Sequence, residues 1–461
     1  MRIQIPEHVE YIINTLTEAG YEAFAVGGCV RDTILNREPG DWDITTSAKP
    51  QEVKGLFRRT IDTGIEHGTV TVMLQKSGYE VTTYRIDGEY EDKRHPKSVN
   101  FTSSLLEDLK RRDFTINAMA YNPTVGLVDE FGGLKDLEKK VIRCVGKAED
   151  RFDEDALRIL RAVRFAAQLG FTIEEETTGA IMAKVENLSS ISAERIRVEL
   201  VKLLISPYPD KLLTASELGI TKVILPEFDT MLKTPQTNPH HIYNVGIHTL
   251  ESIKAIRRLV LEEKAYKEEL LTMDDRLYTV LCLTMLLHDV GKPESRTFDA
   301  TGRDHYHGHP AISARLAKSI LKRLKFDNYT IHLVVRLIAI HDERITPKPA
   351  KVRKAANVIG TDIMELLFLV QHADIAAQNP VTFPEKHEHL KKVQEIYEEC
   401  LRNGDPMNQR DLAINGRDLI NQGFLPGENL GNILNTLLEE VILHPEHNNK
   451  EELLRMAGNY R

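Results

Sequence analysis

Cysteine is scarce in this chain of 461 residues. The four cysteines, Cys29, Cys144, Cys282 and Cys400, are scattered and include no CxxC pair. Paired spacings are typical of zinc sites, and a high cysteine density is typical of small secreted domains. We therefore expect reduced thiols in a cytoplasmic protein, and neither a zinc site nor a disulfide framework.

Long apolar runs are also missing. No segment approaches the ~20 apolar residues that a membrane span needs, and the first residues, MRIQIPEH, lack the apolar core of a signal peptide. Hydrophobic residues make up 41% of the chain and charged residues 28%. This composition predicts a globular protein with no membrane partner, long enough for two to four domains.

Positive charge is not in excess, since the formal net charge is −9. This argues against a protein coated with basic patches for nucleic acid. It leaves room for a local basic groove, because phosphate contacts depend on where charges cluster. Basic residues do cluster at positions 110–112 and again at 158, 161 and 164. Composition alone therefore leaves the partner open.

The spacing of apolar residues predicts two structural regions. Up to residue 145 it predicts helices over residues 7–19 and 50–59 and strands over residues 22–26, 69–74 and 79–84. From residue 153 the periodic segments are helical, over residues 153–169, 175–188, 193–205, 245–258, 276–288, 312–324 and 330–341. The predicted fold class is therefore α+β, with a mixed head followed by an all-α body.

The first chemical signal lies near the N-terminus. A predicted strand ends on Gly27-Gly28, and a helix is predicted from near Val30. Glycine lets backbone approach a ligand closely, and a helix start offers free N–H groups to phosphate. Asp41 and Asp43 follow in a strand-like run, which places both carboxylates on one face. Two adjacent carboxylates repel each other unless a cation bridges them, so the combination predicts a nucleoside triphosphate site with Mg²⁺.

Basic and acidic residues recur further along the chain. Arg111 and Arg112 are predicted to open a helix, where they either orient a phosphoryl group or form an ordinary charged helix start. Asp155 lies three residues before Arg158, which makes them neighbours on one helical face. As a surface ion pair they would contribute at most ~1 kcal/mol to the stability of the fold. As a functional pair they would hydrogen-bond the edge of a base, and periodicity leaves both interpretations open.

Five motifs follow one another in one order, namely GGxVRD, DxD, RRDxxxNA, the residues Asp129–Gly132-Gly133–Asp136, and EDxxR. Over roughly residues 20–170 they resemble the bacterial (class II) tRNA nucleotidyltransferase/poly(A) polymerase family, specifically its CCA-adding enzymes. The resemblance implies a polymerase-β-like nucleotidyltransferase head, built from a mixed β-sheet with helices. It also implies template-independent addition of C, C and A to the 3′ end of tRNA from CTP and ATP.

The resemblance implies roles for individual residues. Asp41 and Asp43 would hold the catalytic Mg²⁺, with Glu80 as a candidate third carboxylate. The nucleotide-binding positions would be Gly28, Arg31, Arg112, Asp113, Asp155, Arg158, Arg161 and Arg164. Within this set Asp155 and Arg158 would select C or A, and Asp113 is a candidate contact to the ribose.

Residues 85–101 resemble the intact flexible loop whose shortening marks family members that add only C and C. Asp92, Arg94 and Pro96 lie in this loop. The resemblance therefore favours full CCA addition or A addition, which the motifs do not separate. The nearest alternative function is an A-adding enzyme or a poly(A) polymerase, although residues 448–461 do not form the basic extension frequent in such polymerases.

A second set of residues lies in the helical body. The run from His288 to Lys292, HDVGK, follows an apolar helix and resembles the signature of HD-type metal phosphohydrolases. The resemblance implies the metal ligands His248, His288, Asp289, His309, His341 and Asp374. Such ligands bind Mg²⁺, Mn²⁺, Ni²⁺ or a similar ion. Which of the histidines at 305, 307 and 309 points inward stays open. Whether the HD domain is catalytic also stays open, since many fused HD domains are scaffolds with little or no hydrolysis.

These assignments predict four regions. They are a nucleotidyltransferase head (1–146), a nucleotide-selecting neck and tRNA-binding body (147–235), an HD domain (236–380) and a helical RNA-binding tail (381–461). The tail segment 411–431 resembles the small C-terminal RNA-binding region of the family. Two functions of another class stay as alternatives, an HD phosphohydrolase with an RNA-binding head and a non-catalytic RNA-binding protein. The oligomeric state is not predicted.

Overall fold

A computed structural model describes residues 3–87, 99–237, 239, 241–262 and 275–460. The chain divides into two compact units, Met1–Pro226 and Glu227–Arg461. The first unit holds a seven-stranded mixed sheet with helices, and the second is mostly helical. The α+β class is confirmed, whereas the division into four regions stays a prediction. Most of the loop at residues 85–101, including Asp92, Arg94 and Pro96, lies outside the described residues.

The described strands are numbered β1 to β13 in chain order: Ala23–Val26, Ile44–Thr46, Thr60–Gly64, Thr69–Leu74, Ser77–Thr83, Arg85–Asp87, Val99–Phe101, Ala120–Asn122, Gly126–Val128, Val141–Ile142, Thr172–Ile173, Thr297–Phe298 and Asp304–His305. The large sheet has the order β3-β4-β5-β2-β1-β8-β9. In this sheet β2 and β5 are parallel, and the other neighbours are antiparallel.

The described α-helices are numbered α1 to α23 in the same way: Glu7–Glu18, Gly28–Ile34, Pro50–Leu56, Leu105–Lys110, Gly133–Lys139, Ala148–Glu154, Leu157–Leu169, Glu175–Lys184, Ala193–Leu204, Lys211–Glu217, Ile220–Ile224, Pro226–Leu232, Val245–Arg257, Asp275–Leu287, Lys292–Ser295, His309–Arg323, Asn328–Ile340, Pro349–Ile359, Met364–Ala376, Phe383–Asn403, Gly416–Asn421, Glu428–Leu443 and Lys450–Ala457. The predicted helices at 7–19, 193–205, 245–258, 276–288, 312–324 and 330–341 are confirmed to within three residues at each end.

The helix predicted over residues 153–169 is wrong, because it is two helices. α6 ends at Glu154, α7 begins at Leu157, and Asp155 between them is extended, with φ −143° and ψ 101°. The Asp155 carboxylate accepts a hydrogen bond from the N–H of Leu157, the first residue of α7, at 3.1 Å. Asp155 therefore does not share a helical face with Arg158.

The expectation that Arg111 and Arg112 open a helix is also wrong. α4 ends at Lys110, and Arg111 is its C-terminal cap. Ser104 is the N-terminal cap of α4, and its side chain accepts a hydrogen bond from the N–H of Glu107 at 3.4 Å. The two arginines therefore lie in the irregular segment that follows a helix.

The apolar residues of the second unit explain where its polar residues converge. α14 and α19 are buried on nearly all sides, as is typical of helices in the centre of a bundle. A histidine at the end of α14 and an aspartate on α19 are thereby placed in the interior. The C-terminal helices have a separate core, which includes Leu419, Leu437 and Leu453.

The expected thiols are confirmed, since all four cysteines are buried and none is in a disulfide. Among the described residues, no helix combines the length and the apolar character that crossing a bilayer requires.

Candidate active site and candidate metal centre

Three carboxylates lie together beside strand β2. Asp41 and Asp43 directly precede β2, and their side chains are exposed. β2 and β5 run parallel, with Ile44 opposite Val81. The residues that precede this pair, Asp43 and Glu80, therefore lie side by side. Partial desolvation and the negative charge of Asp41 raise the pKa of Asp43 to about 6. A divalent cation would relieve this repulsion, and carboxylate oxygens are the ligands that Mg²⁺ prefers.

A glycine lets an arginine approach these carboxylates. Gly27 has a φ of +83°, and a Cβ there would lie 2.9 Å from Nη1 of Arg112. Arg112 is half-buried, and its Nε has no hydrogen-bond partner among the described residues. Its positive charge lowers the pKa of Asp43, against the effects of desolvation and of Asp41. Gly28, next along the chain, is the first residue of α2. The arrangement leaves an unused guanidinium donor where a cation-bound triphosphate would need one.

Asp113 is buried, and its carboxylate is fully hydrogen-bonded. Oδ1 accepts from the N–H of Phe114 at 2.8 Å and from Nδ2 of Asn117 at 3.1 Å. Oδ2 accepts from Nε and Nη2 of Arg161, at 2.8 and 2.5 Å. Burial alone would raise the pKa of Asp113. The charge of Arg161 and these hydrogen bonds outweigh burial and hold the pKa well below its usual range. Asn117 also accepts from Nη1 of Arg31 at 2.5 Å, so the predicted residues form one network.

Three of the predicted arginines surround one aromatic ring. The guanidinium carbons of Arg31, Arg161 and Arg164 lie 5.1, 5.4 and 3.6 Å from the ring centre of Phe165. Arg164 is buried and donates from Nε to Oε2 of Glu199 at 2.8 Å, and Arg161 Nη1 lies 3.7 Å from the same carboxylate. Glu199, on α9, was not selected from the sequence. It balances the charge of Arg164, whereas Arg161 is already paired with Asp113.

Asp155 and Arg158, the predicted base-selecting pair, are each held by a separate ion pair. Nη1 and Nη2 of Arg195 donate to the two oxygens of Asp155 at 3.2 and 2.7 Å. Nη1 of Arg158 donates to Oε2 of Glu154 at 2.6 Å, and Nη2 donates to the carbonyl of Arg111 at 3.0 Å. Sequence reasoning missed Arg195, because nothing in the local pattern links α9 to the break between α6 and α7.

The fourth motif, Asp129–Asp136, stabilises the structure beside this network. The carboxylate of Asp129 accepts from the N–H groups of Gly133 and Leu134, at 2.7 and 2.9 Å. A Cβ on Gly133 would lie 2.5 Å from the carbonyl oxygen of Thr115, so only glycine allows this approach. The hydroxyl of Thr115 donates to Asp136 at 2.7 Å. These contacts fix the segment that carries Asn117.

The six residues predicted as metal ligands in the second unit lie together. His248 is in α13, His288 and Asp289 follow α14, His309 begins α16, His341 follows α17, and Asp374 is in α19. Ligand atoms within 4.8 Å of one another form two groups that share Asp289. The first pair of histidines is His248 and His288, and the second pair is His309 and His341. Asp374 Oδ1 lies 2.8 Å from Nε2 of His248.

All four histidines present the same ring nitrogen to the centre. Each Nδ1 lies within 3.2 Å of a backbone carbonyl oxygen, those of Ala377, Met285, Tyr306 and Ile338. An N–H at Nδ1 satisfies the carbonyl and leaves a lone pair on Nε2. The two Nε2 atoms of the first pair are 3.3 Å apart, as are those of the second pair. Two lone pairs at this distance repel each other, and a bound cation would remove the repulsion.

Asp289 lies between the two pairs. Its Oδ2 is 3.5 and 3.3 Å from the first pair, and its Oδ1 is 3.4 and 3.9 Å from the second. Both oxygens are buried without a hydrogen bond to the described residues, although Nζ of Lys292 lies 2.7 Å from Oδ2. Lys292 balances the charge at Oδ2, whereas the buried Oδ1 lacks a partner as close as this, which is unfavourable. Two histidines and one carboxylate oxygen on each side fit one cation each, with Asp289 between them.

The glycine of the HDVGK run brings the second pair to this centre. A Cβ on Gly291 would lie 2.6 Å from the backbone nitrogen of Ser313 in α16. The close approach places His309, the first residue of α16, against the cluster. His305 and His307 instead stack on each other, with ring centres 5.4 Å apart.

One further histidine lies beside the first pair. His241 is 5.0 Å from His248 between ring centres, and its buried Nδ1 has no hydrogen-bond partner among the described residues. Sequence reasoning missed it because it belongs to no motif.

Comparison with known proteins extends these observations. Residues 23–143 match the family described as "Poly A polymerase head domain". Residues 170–232 match "Probable RNA and SrmB-binding site of polymerase A", and residues 311–457 match the family of tRNA nucleotidyltransferase domain 2. The chain belongs to the tRNA nucleotidyltransferase/poly(A) polymerase family. Membership of a nucleotidyltransferase family implies the use of a divalent cation.

Two related sequences are both named CCA-adding enzyme. The CCA-adding enzyme of Lactobacillus johnsonii is 56% identical over 200 residues, which cover 43% of this chain and 50% of that protein. The CCA-adding enzyme of Geobacillus thermodenitrificans is 54% identical over 197 residues, covering 43% and 49%. The chain thus spans about half the length of the curated relatives it matches.

Solved structures match over nearly the whole chain. The Bacillus stearothermophilus CCA-adding enzyme in complex with CTP is 28% identical, with a TM-score of 0.67 and coverage of 98% of this chain and 96% of that one. The Thermotoga maritima CCA-adding enzyme complexed with tRNA is 21% identical, with a TM-score of 0.60 and full coverage of both chains, 100% each, and it supports the fold alone.

Proposed function

We propose that this chain adds C, C and A to the 3′ end of tRNA from CTP and ATP, without a nucleic-acid template. The observation that carries the proposal is the grouping of Asp41, Asp43 and Glu80 beside the unused donor of Arg112. The relatives named as CCA-adding enzymes support it. These substrates would place the reaction in the cytoplasm.

The three carboxylates fit Mg²⁺, because they offer several exposed oxygen atoms of like charge in one place. Asp41 and Asp43 would hold the ions, with Glu80 as a third ligand. Bound there, Mg²⁺ would lower the pKa of the attacking 3′-hydroxyl and neutralise charge on the leaving pyrophosphate. Arg112 would donate to the triphosphate, and the backbone at Gly28 would approach it.

The base would be read at a second position in the same unit. Asp155 and Arg158 offer an acceptor and donors from the start of α7, and we assign them the choice of C or A. The remaining predicted nucleotide-binding residues, Arg31, Asp113, Arg161 and Arg164, bind one another through the network around Phe165. We propose that they position the base-reading helix, and that a ribose contact by Asp113 requires exchange of one of its present partners.

The helices outside the head would bind the tRNA. Residues 170–232 match a family described as RNA-binding, and we assign the acceptor arm to the regions 147–235 and 381–461. Within the tail, residues 412–457 have a core of their own and would present their surface to the RNA backbone.

Three tRNA transcripts test the proposal. The first ends before the CCA sequence, the second ends after CC, and the third ends after CCA. Each is incubated with CTP, ATP or both. Addition of CCA to the first transcript is expected. Use of ATP on the CC transcript alone would support the alternative of A addition, and repeated A addition would support a poly(A) polymerase. Failure to incorporate either nucleotide would contradict the proposal.

A matched pair of variants localises the chemistry. Asp41→Asn is expected to lower the rate at least about 10²-fold, because it weakens the binding of the cation that would stabilise the negative charge developing in the transition state. Binding of tRNA should be retained. Asp62→Asn is the control, because Asp62 lies exposed in β3 and pairs with Lys54.

A second candidate function rests on the six-residue cluster of the second unit. We propose that residues 236–380 form an HD domain that binds two cations, one at each histidine pair. Asp289 would bridge the ions, and Asp374 would complete the first site. Imidazole and carboxylate ligands fit Mn²⁺, Ni²⁺ or a similar ion, as well as Mg²⁺. Bound cations would supply a metal-activated water for hydrolysis of a phosphate ester.

Metal content tests this centre directly. The chain is stripped with EDTA, reloaded with Mn²⁺, passed through a desalting column and analysed by mass spectrometry. Two retained ions per chain are expected at this centre, counted as the difference between the wild type and Asp289→Asn, because the carboxylates of the head also bind divalent cations. The control is Asp299→Asn, an aspartate outside the cluster that pairs with His305. Loss of all ions from the wild-type chain would contradict the proposal.

A further inference from the structure

A buried aspartate is the counter-charge of the arginine assigned to the triphosphate. Asp108 lies in α4, has no exposed surface and belongs to none of the five motifs. Its Oδ2 is 3.5 Å from Nη2 of Arg112. Burial lowers the pKa of Arg112, and among the charges around this arginine that of Asp108 opposes the change most. Asp108 therefore stabilises the charged guanidinium in its buried position.

Three further groups hold the same carboxylate. Oδ1 accepts from Nε and Nη2 of Arg111, at 2.9 and 2.8 Å, and from the N–H of Arg85 at 3.4 Å. Oδ2 accepts from the hydroxyl of Thr45 in β2 at 3.1 Å. Burial would raise the pKa of Asp108, but the charges of Arg111 and Arg112 lower it below its usual value. The carboxylate is thus ionised, and its position is fixed relative to β2.

Arg112 is attracted by a second carboxylate on the side of the candidate active site. The negative charge of Asp43 also favours the charged form of Arg112, and Arg112 lowers the pKa of Asp43 in return. Without Asp108, the guanidinium would be drawn toward Asp43, because an unbalanced buried charge favours the nearest opposite one. It would then occupy a carboxylate oxygen that a cation needs and use the donor that a triphosphate needs.

The backbone around Arg112 is held independently of Asp108. Nη1 of Arg151 donates to the carbonyl of Lys110 at 3.2 Å, and Nη2 of Arg158 donates to the carbonyl of Arg111 at 3.0 Å. Loss of the charge of Asp108 should therefore leave the main chain at residues 110–112 in place. The change would fall on the side chain of Arg112.

We propose that Asp108 is a positioning residue for nucleotide binding, which holds the guanidinium of Arg112 away from Asp43 and keeps its unused donor available to the triphosphate. The inference rests on the proposed function and adds a residue that acts through Arg112. Because the triphosphate is common to both substrates, the contribution of Asp108 is the same for CTP and ATP. It differs in this respect from Asp155 and Arg158, to which we assign the choice of base.

Binding of CTP and of ATP to the full chain in the presence of Mg²⁺ tests the inference. The signal is the fluorescence of Trp42, the one tryptophan of the chain, which lies between Asp41 and Asp43 in the sequence and so reports on the head. Asp108→Asn is expected to raise Kd about tenfold for both nucleotides. In single-nucleotide addition KM should rise by the same factor, whereas kcat should change by less than about threefold.

A double-mutant cycle shows whether Asp108 acts through Arg112. In the background of Arg112→Ala, the further change Asp108→Asn should alter Kd by less than about twofold, because the group that Asp108 positions is gone. An equal rise of Kd in both backgrounds would overturn the inference. An unchanged Kd in the single variant Asp108→Asn would overturn it as well.

A charge-balanced variant guards against misfolding. Asp108→Asn leaves the charge of Arg111 unpaired, whereas Asp108→Asn combined with Arg111→Gln removes the whole ion pair. The combined variant should show the same rise in Kd of about tenfold, and a wild-type Kd would overturn the inference. Glu107→Gln is the matched control, because Glu107 is the adjacent acid of α4 and lies 3.8 Å from Lys110. It should keep the wild-type Kd.

Failure of the inference and failure of the proposed function have different results. A wild-type chain that adds no nucleotide to tRNA would contradict the proposed function, and the inference with it. A wild-type chain that adds C, C and A, together with an unchanged Kd in Asp108→Asn, would overturn the inference alone.

Discussion

Arg195 holds Asp155 through both carboxylate oxygens, with Nη1–Oδ1 at 3.2 Å and Nη2–Oδ2 at 2.7 Å. The two residues come from α9 and from the extended break before α7. A bidentate pair fixes the plane of the carboxylate as well as its position. If Asp155 reads the edge of the incoming base, Arg195 sets the orientation in which it does so.

Replacing Arg195 should therefore reduce selectivity more than it reduces turnover. We expect Arg195→Ala to lower the ratio of kcat/KM for CTP to that for UTP about tenfold. Arg195→Lys should recover only part of the ratio, because an ammonium cannot form the two parallel hydrogen bonds. The measurement is single-nucleotide addition with each triphosphate.

The control for this prediction is Lys202→Ala, an exposed residue of the same helix. It should leave the ratio unchanged. A uniform fall in kcat for CTP and UTP, with the ratio intact, would show that Arg195 has a structural role only.

Glu199 should contribute to the stability of the first unit. Its buried carboxylate binds Arg164 at 2.8 Å and lies 3.7 Å from Arg161. Glu199→Gln removes the charge that balances the buried cation of Arg164, and we expect a loss of about 3 kcal/mol in the free energy of unfolding. Trp42, the one tryptophan of the chain, lies in this unit, so its fluorescence during urea denaturation reports the change.

An exposed glutamate at the start of the same helix provides the comparison. Glu194→Gln should shift the urea midpoint little, since surface charges contribute about 0–1 kcal/mol. Equal midpoints for the two variants would contradict the assigned role of Glu199.

Much of the architecture can be predicted from the sequence, because the spacing of apolar residues identifies long amphipathic helices. The break at Asp155 could not be predicted in this way, since it depends on the contact of this carboxylate with the N–H of Leu157 and on a partner 40 residues away. The position of Glu199 in the apolar pattern of α9 does predict that this acid is buried and paired. It lies three residues after Ile196 and four before Leu203, on the buried face of α9, where an unpaired acid is unfavourable.

The candidate sites, too, could be predicted from the sequence only in part. The resemblance predicts the HDVGK run and its distant partners, and the structure brings five of the six side chains into the two groups that share Asp289, with Asp374 against His248. The engagement of Asp113 by Arg161 could not be predicted, because it depends on packing between segments 48 residues apart rather than on motif order. The pair of Glu154 with Arg158 has i, i+4 spacing, which does predict an ion pair.

Gly27 should be sensitive to the smallest side chain. Its φ of +83° disfavours any L-residue, and a Cβ would lie 2.9 Å from Nη1 of Arg112. We expect Gly27→Ala to cost about 1–2 kcal/mol in stability and to raise KM for both CTP and ATP by displacing Arg112. Gly55→Ala in α3 is the control, because a Cβ there meets nothing within 4 Å. An unchanged KM in Gly27→Ala would argue against a triphosphate contact by Arg112.

Gly291 connects packing to metal binding in the second unit. A Cβ on it would lie 2.6 Å from the backbone nitrogen of Ser313, and backbone cannot move aside as a flexible side chain can. Gly291→Ala should therefore push α16 outward and carry His309 away from His341, whose Nε2 atoms are now 3.3 Å apart. The first pair, on α13 and at the end of α14, should be less affected. We expect the variant to retain one Mn²⁺ per chain after desalting, where the wild type retains two.

Gly431→Ala in α22 is the matched control, because its Cβ would meet nothing within 4 Å, and it should retain both ions. Two retained ions in Gly291→Ala would mean that the second pair does not need the close approach of α16. Loss of both ions would mean that the two sites form together, as expected if Asp289 binds its cations only as a bridged pair.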